Sequence, residues 1–186
     1  MLKLYGYSRS RSVIVEWYLE ELNIPYENVS LELSTGEHKE PEFLAINPIG
    51  KVPAIVEEDF KLWESGAILL YLAEKHGKMP ESLEGKSQVT QWVFFANSTL
   101  SNGIFTEANR EKEAPRLLTA LNTIFTEKSF VLGDDFTVAD VAVGSVLAYI
   151  PIMLQMDLSE YPAVENYIRK ITQRPCFKKT IGSRFS

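Results

Sequence analysis

The stretch from Asn47 to Gly66 constrains the fold of this chain more than any other. Val52-Pro53-Ala54-Ile55-Val56 is rich in apolar and β-branched residues and predicts a short strand, and Phe60-Lys61-Leu62 predicts a second strand after an acidic turn. Because proline cannot donate to a backbone ladder, its position at the start of a strand predicts a cis Val52–Pro53 bond. We expect the backbone N–H and C=O groups of Val52 to face outward, free to pair with an extended peptide ligand.

The helix predicted after this hairpin offers a second binding element. It opens at Glu64-Ser65-Gly66 and continues through Ala67 to Ala73. The first N–H groups of a helix are unpaired and carry the positive end of its dipole. Here they lie beside a carboxylate and a hydroxyl group, which predicts a site for a small zwitterion whose ammonium group meets Glu64. The alternative is that Glu64 and Ser65 only cap the helix.

The residues before this stretch alternate between strand and helix patterns. Leu2 to Tyr5 predicts a strand that a serine-rich loop joins to a helix with apolar residues at Ile14, Trp17, Tyr18 and Leu22. Tyr26 to Leu33 predicts a second strand, and Pro41 to Ala45 a short helix. The order up to residue 76 is therefore βαβαββα, which is typical of a mixed sheet with helices packed on it.

The pattern changes after residue 76. Residues 77–85 have glycine at both ends and Pro80 between them, which predicts a linker. From residue 86 to residue 186 apolar side chains recur at helical spacing, and Thr137 and Asp140 predict a capping box at the start of a central helix. We therefore predict an α/β domain over residues 1–76, a linker over 77–85 and an all-helical domain over 86–186.

Charge and composition argue against several classes of partner. The net charge is −6 and the basic residues are dispersed, which does not fit a nucleic-acid-binding surface. The longest mostly apolar segment, Val141 to Leu154, is interrupted by Pro151 and is too short to span a bilayer. The N-terminus lacks the apolar core of a secretory signal, and Cys176 is the single cysteine. We expect a cytoplasmic protein without membrane or nucleic-acid partners.

Metal and nucleotide sites have no support in the sequence. His38 and His76 are the two histidines, and neither belongs to a cluster with metal-ligand spacing. The glycines do not form a phosphate-binding motif. We therefore expect no metal.

With these residues laid out, the chain resembles the cytosolic glutathione transferase superfamily over nearly its whole length. The motifs that carry the resemblance are Asn-Pro-x-Gly-x-Val-Pro at residues 47–53, Glu64-Ser65, Gly36-Glu37-His38-Lys39 and the cap at residues 137–140. The chain is most similar to bacterial and cyanobacterial members with a serine loop, particularly the chi class. The resemblance implies a thioredoxin-like N-terminal domain (βαβαββα) followed by an all-helical C-terminal bundle.

The resemblance also implies glutathione as the ligand of the zwitterion site. Val52, ahead of Pro53, would pair its backbone with the cysteinyl residue, and Glu64 and Ser65 would hold the γ-glutamyl end. Lys51 stands where many relatives have glutamine, and its ammonium group still suits an anion. The candidates for binding the glycine carboxylate are His38, Lys39 and Lys51.

Catalysis in this family means stabilising the glutathione thiolate, which requires a donor at the mouth of the first helix. We favour Ser10 as the hydroxyl donor because it lies closest to the transition from loop to helix, with Ser8 second and Ser12, a predicted N-cap, third. Arg11 is expected to reinforce the thiolate by its charge, or else to be an exposed arginine without a role. Tyrosine hydroxyl groups serve other classes of the family. The remaining alternatives are therefore Tyr5 and Tyr7.

The second substrate would be a small electrophile bound above the thiol, between the two domains. We predict that a stripe on the first bundle helix faces it, formed by Trp92, Phe95, Thr99 and Asn102. The resemblance thus implies a homodimeric glutathione transferase that attacks alkyl, aryl or isothiocyanate-type electrophiles in detoxification. The alternatives are a non-catalytic ligand-binding or assembly module and a glutathione-dependent isomerase or peroxidase.

Overall fold

The computed structural model describes residues 1–184, and its first part is a sheet with helices. The order of elements is the predicted βαβαββα, with an additional 3-10 turn at Glu37–Lys39 before the second helix. The thioredoxin-like architecture expected from the sequence is confirmed. The strands are β1 (Leu2–Gly6), β2 (Tyr26–Ser30), β3 (Ala54–Glu57) and β4 (Phe60–Trp63), and the helices are α1 (Ser12–Glu21), α2 (Pro41–Leu44) and α3 (Ser65–Lys75).

The register of the sheet brings three loops to one edge. The strand order is β2-β1-β3-β4, in which β1 runs parallel to β2 and antiparallel to β3. Tyr5 near the end of β1 lies opposite Ala54, the first residue of β3, and Ala54 lies opposite Trp63, the last residue of β4. The loop after β1, the Val52–Pro53 pair before β3 and the start of α3 are therefore neighbours in space.

The rest of the described chain is helical, as predicted. Two segments, Phe95–Leu100 and Ile150–Leu154, are π-helical, and a 3-10 turn covers Gly182–Arg184. The α-helices are α4 (Leu83–Phe94), α5 (Ser101–Phe105), α6 (Glu107–Glu127), α7 (Val138–Tyr149), α8 (Pro162–Thr172) and α9 (Pro175–Lys179). None of the helices within residues 1–184 is both long enough and apolar enough to cross a bilayer.

Helix α7 forms the centre of the helical part, and its residues from Val138 to Ala148 are all buried. The predicted capping box is present at its start, where the Asp140 carboxylate accepts a hydrogen bond of 2.9 Å from the backbone N–H of Thr137. The same carboxylate accepts from the N–H of Val131 at 2.9 Å and from the Tyr167 hydroxyl at 3.0 Å. Asp140 therefore joins the start of α7 to the preceding loop and to α8.

Some boundaries of the elements differ from the sequence prediction. β2 ends at Ser30 and not at Leu33, because the Glu32 carboxylate accepts hydrogen bonds from the N–H and hydroxyl groups of Ser34 and the chain turns away. Leu22 follows the end of α1 instead of lying within it. Helix α4 begins at Leu83, inside the segment predicted as a linker, because the hydroxyl of the N-cap residue Ser82 accepts from the N–H of Gly85 at 3.1 Å.

Candidate functional site

A small cavity lies at the edge of the sheet where the three loops meet. Its volume is about 260 Å³, and the bond between Val52 and Pro53 beside it is cis, as the sequence predicts. Five residues predicted to bind glutathione line the cavity together with Arg11 and Asn47. The five are Lys51, Val52, Pro53, Glu64 and Ser65.

The start of α3 presents unpaired groups to this cavity. Glu64 is the N-cap residue, yet neither it nor Ser65 makes a side-chain capping hydrogen bond within the described chain. The backbone of Glu64 has φ 71° and ψ 119°, a conformation that residues other than glycine rarely adopt and that tends to occur at functional sites. Ser65 is 3% exposed. This geometry does not fit a capping role for Glu64 and leaves its carboxylate available to a ligand.

Asn47 shapes the cavity and was given no role from the sequence. It is buried, its side-chain amide donates to the Lys51 carbonyl at 2.7 Å, and its side-chain oxygen accepts from the N–H of Ile49 at 3.0 Å. Both bonds hold the turn that delivers Lys51 and Val52. Asn47 opens the Asn-Pro-x-Gly-x-Val-Pro motif, so an asparagine that precedes a proline-glycine turn was the signal available.

His38 and Lys39 do not line the small cavity. The Lys39 ammonium group donates to the backbone carbonyl of Gly50 at 3.3 Å, on the turn that Asn47 holds. The Nδ1 atom of His38 is buried without a hydrogen-bond partner in the described chain. Of the three candidates for the glycine carboxylate, the structure therefore brings only Lys51 to the cavity.

The serine loop is folded around the carbonyl group of Tyr7. Ser10 and Ser12 both donate to this carbonyl, at 2.8 Å and 3.0 Å, and their hydroxyl oxygens are 2.8 Å apart. Ser12 is buried and is the first helical residue of α1, so the prediction of Ser12 as N-cap is wrong by one position, and Arg11 stands there. Ser8 is exposed, and Ser10 is half-buried.

The two tyrosines considered as alternatives line neither this cavity nor the larger one described next. The ring of Tyr5 packs against the ring of Phe43 at a centroid distance of 5.9 Å. Tyr7 contributes its backbone to the serine loop. Ser8 and Ser10, which line the larger cavity, are therefore better placed than either tyrosine to offer a hydroxyl group to a ligand.

A larger cavity of about 600 Å³ lies between the first loop and the helical part. Its apolar lining comes from Ile14, Phe105, Val146, Tyr149 and Met153. Hydroxyl, amide and guanidinium groups form the rest of the lining, which comprises Ser8, Arg9, Ser10, Arg11, Asn97, Ser101, Ser145 and Arg184.

None of the four residues predicted for the electrophile pocket lines this cavity. The buried stripe of this region contains Val93, Ala96 and Leu100, and the cavity-lining residues lie on one flank of it while the predicted stripe lies on the other. Periodicity located the buried stripe but did not indicate which flank faces the cavity. The lining residues from this region are Asn97, Ser101 and Phe105, in place of the predicted Trp92, Phe95, Thr99 and Asn102.

The predicted residues have other contacts. Trp92 and Phe95 pack edge to face at 5.4 Å and both pack on the hydrophobic core. Asn102 is exposed and accepts a hydrogen bond of 2.7 Å from the Thr106 hydroxyl. Thr99 is exposed as well.

Arg11 joins the two cavities. It lines both of them, and its guanidinium group donates to the hydroxyl of Ser101 at 2.8 Å. A positive charge is therefore held at the boundary between the small cavity at the sheet edge and the larger, partly apolar cavity.

Two polar residues of the larger cavity, Tyr149 and Arg184, carry little net charge. Burial raises the pKa of Tyr149 to about 12, an effect that the positive charge of Arg184 partly offsets, so its hydroxyl stays neutral at physiological pH. Arg184 is itself paired with the carboxylate of Glu16 at 3.0 Å. Within residues 1–184 no group of three or more His, Cys, Asp or Glu residues is arranged to hold a metal ion.

Comparisons with known proteins point to one family. Residues 1–74 match the model of the glutathione S-transferase N-terminal domain, and residues 85–184 match that of its C-terminal domain. The chain is 32% identical to the disulfide-bond oxidoreductase YfcG of Escherichia coli strain K12 over 94% of this chain and 92% of that protein. It is 29% identical to the glutathione S-transferase GstB of the same strain, over 97% of this chain and 98% of that protein.

A solved structure agrees with these matches. A glutathione transferase from Burkholderia graminis, with two glutathione molecules bound per subunit, is 27% identical and superposes with a TM-score of 0.82 over 96% of this chain and 86% of that one. The chain belongs to the glutathione S-transferase family.

Proposed function

We propose that this member of the glutathione S-transferase family binds glutathione in the small cavity and activates its thiol for attack on electrophiles in the larger one. The observation that carries the proposal is that Arg11 lines both cavities. A thiol that is bound at the small cavity and points toward Arg11 would thus be open to the chamber in which a second substrate binds.

The groups around the small cavity suit the three parts of glutathione. The backbone of Val52 is available to the cysteinyl residue, and the carboxylate of Glu64 is available to the ammonium group of the γ-glutamyl end. The unpaired N–H groups at the start of α3 and the hydroxyl of Ser65 suit the neighbouring carboxylate. Lys51 is the cation that suits the glycine carboxylate.

Activation of the thiol requires a modest free energy. An ordinary thiol has a pKa of about 8.5, so lowering it by about two units to ionise most of it at pH 7 needs roughly 2.7 kcal/mol. A hydroxyl hydrogen bond from Ser10 together with the positive charge of Arg11 is of this order. To act as the donor, Ser10 would have to turn its proton from the Tyr7 carbonyl toward the ligand. Ser8 is exposed and makes no such bond within the described chain, and it is therefore kept as the second candidate. We propose on this basis that the chain is a serine-loop member of the family, most like the chi class.

The experiment that tests the proposal is a titration with glutathione followed by turnover assays with alkyl halide, aryl halide and isothiocyanate electrophiles. We expect the protein to bind glutathione and to conjugate its thiol to at least one of these electrophiles faster than the uncatalysed reaction. Binding without conjugation of any electrophile would favour a ligand-binding or assembly module instead. We expect a homodimer, which would sediment as two chains per particle. The exposed side chains of Phe60 and Phe94 offer apolar surface for the contact between the two chains.

A second candidate activity is glutathione-dependent reduction of disulfides. It is favoured by the 32% identity to an enzyme named as a disulfide-bond oxidoreductase and by the relative solved with two glutathione molecules per subunit. In such a reaction the bound thiolate attacks a mixed disulfide, a new glutathione disulfide forms and the other thiolate leaves. Cys176 lines neither cavity, so a protein thiol would take no part. Turnover of a glutathionyl mixed disulfide by a Cys176→Ala variant would test this.

A further inference from the structure

The larger cavity has a charge opposite to that of the chain. The whole chain has 25 acidic and 19 basic residues and a net charge of −6. Among the described residues that line the cavity, however, there are three arginines and no Asp or Glu. An excess of positive charge beside an apolar wall attracts an anionic group.

The three arginines differ in how far their charge is offset. Arg184 pairs with the carboxylate of Glu16, so its charge is largely neutralised. Arg11 donates to a neutral hydroxyl and also lines the small cavity, where the thiolate is expected. Arg9 is exposed and forms no ion pair within residues 1–184. Arg9 is therefore the guanidinium group of the cavity that is available to a second ligand.

The rest of the lining sets the shape of that ligand. Phe105, Val146 and Met153 supply apolar surface, and burial of an apolar ligand against that surface favours binding. A carboxylate and a guanidinium group form a pair of parallel hydrogen bonds that a neutral ester cannot reproduce. A molecule with an apolar body and one carboxylate satisfies both parts of the lining.

We propose that the second substrates of this protein are electrophiles with an apolar body and a carboxylate, and that Arg9 binds the carboxylate. The inference rests on the proposed transferase function. In the reaction the glutathione sulfur forms a bond to the electrophilic carbon, the bond from that carbon to a halogen breaks, and the halide leaves with the electron pair.

Binding of two glutathione conjugates tests the inference without any turnover. The probes are S-(4-carboxybenzyl)glutathione and its benzoate methyl ester, which differ by one charge, and affinities are measured by calorimetry. We expect the acid to bind wild type about tenfold more tightly than the ester and the ratio to fall toward one in Arg9→Gln. Arg169→Gln removes another exposed arginine, which lies on α8 outside both cavities, and is expected to keep the wild-type ratio.

Two results of this binding measurement would overturn the inference. Equal affinities in wild type would mean that the cavity does not select a carboxylate. A ratio that survives in Arg9→Gln, with helix content unchanged by circular dichroism, would remove Arg9 from the role.

Turnover separates this inference from the function on which it rests. The electrophiles are 4-(bromomethyl)benzoate and its methyl ester, each corrected for its uncatalysed rate with glutathione. Equal catalysis of both would leave the transferase function standing and refute the preference. Tighter binding of the acid conjugate, without catalysis of either electrophile or of any electrophile in the panel described above, would uphold the binding preference and refute the transferase function. If neither glutathione nor the conjugates bind, both proposals fall.

Discussion

The guanidinium group of Arg11 donates a hydrogen bond of 2.8 Å to the hydroxyl of Ser101, which ties the loop before α1 to the first residue of α5. This bond fixes a positive charge at the boundary of the two cavities. We predict that Ser101→Ala lets the exposed Arg11 side chain leave this boundary and raises the pKa of the bound glutathione thiol by about 0.5–1 unit, since a solvated charge about 4 Å from a thiolate contributes on the order of 1 kcal/mol. The thiolate absorbance of the complex is the measurement.

The control for Ser101→Ala is Ser98→Ala, an exposed serine on the preceding π-helical segment that lines neither cavity. An unchanged thiol pKa in Ser101→Ala would show that this bond does not position the charge.

Ser10→Ala tests the hydroxyl donor. We expect the pKa of the bound thiol to rise by about one unit or more, because a charge-assisted hydrogen bond is stronger than a neutral one. Ser8→Ala and Ser12→Ala should have smaller effects on the thiol pKa, and Ser12→Ala should mainly reduce stability because its buried hydroxyl bonds to the Tyr7 carbonyl. If Ser8→Ala produces the larger pKa rise, the donor is Ser8.

Glu64→Gln removes the charge expected to meet the ammonium group of glutathione while keeping the shape of the side chain. We predict a loss of affinity for glutathione of about tenfold with a smaller change in kcat, because the interaction is made equally before and during the reaction. The matched control is Glu58→Gln in the β3–β4 turn, which also has a positive φ, of 55°, but lines neither cavity. Calorimetry that finds the same affinity in Glu64→Gln and wild type would contradict the placement of the ammonium group.

The sequence predicted those parts of the site that depend on short-range chemistry. The cis bond at Val52–Pro53 follows from a proline at the start of a strand, and the start of α3 at Ser65 follows from the change of period after Trp63. These groups meet because the hairpin and its flanking segments are consecutive. The capping box of Thr137 and Asp140 is equally local.

Contacts between segments that are distant in the sequence were harder to predict. A helical period identifies the stripe that is buried, but the larger cavity depends on which flank of that stripe faces the loop before α1. Trp92 and Asn102 were therefore predicted to line the cavity, whereas Ser101 lines it. The pairing of Arg11 with Ser101 spans 90 positions, and no local pattern encodes it.

The ionisation of Tyr149 gives an alkaline pH dependence. Its pKa is about 12 in the folded protein and near 10 in an unfolded chain, so the folded state holds the proton more tightly. The stability that this contributes is complete below pH ~10 and is lost as the pH rises toward 12. We predict that between these values the free energy of unfolding in urea falls by about 1–2 kcal/mol more for wild type than for Tyr149→Phe.

Tyr161→Phe, at the N-cap of α8, controls for the loss of a hydroxyl group elsewhere. Parallel pH profiles for wild type and Tyr149→Phe would show that Tyr149 titrates normally.

Arg174 connects the two parts of the chain through one carboxylate. Its guanidinium group donates two hydrogen bonds to the Glu21 carboxylate, at 2.8 Å and 2.6 Å. The indole N–H of Trp17 donates to the same carboxylate at 2.8 Å. The guanidinium group also lies 3.6 Å from the centre of the Phe136 ring. The Glu21 side chain is 11% exposed, so removing its partner would leave a nearly buried charge uncompensated. We predict that Arg174→Gln lowers the free energy of unfolding by about 2–3 kcal/mol, measured by urea titration of tryptophan fluorescence.

The comparison for Arg174→Gln is Arg169→Gln, one helix earlier and exposed, which should change stability by less than about 0.5 kcal/mol. The double variant Glu21→Gln/Arg174→Gln completes the cycle. Because removing both charges leaves none unpaired, it should be less destabilised than the sum of the single variants. Strict additivity would mean that the two side chains are not coupled, and that apolar packing of α1 against α9 holds the two parts together.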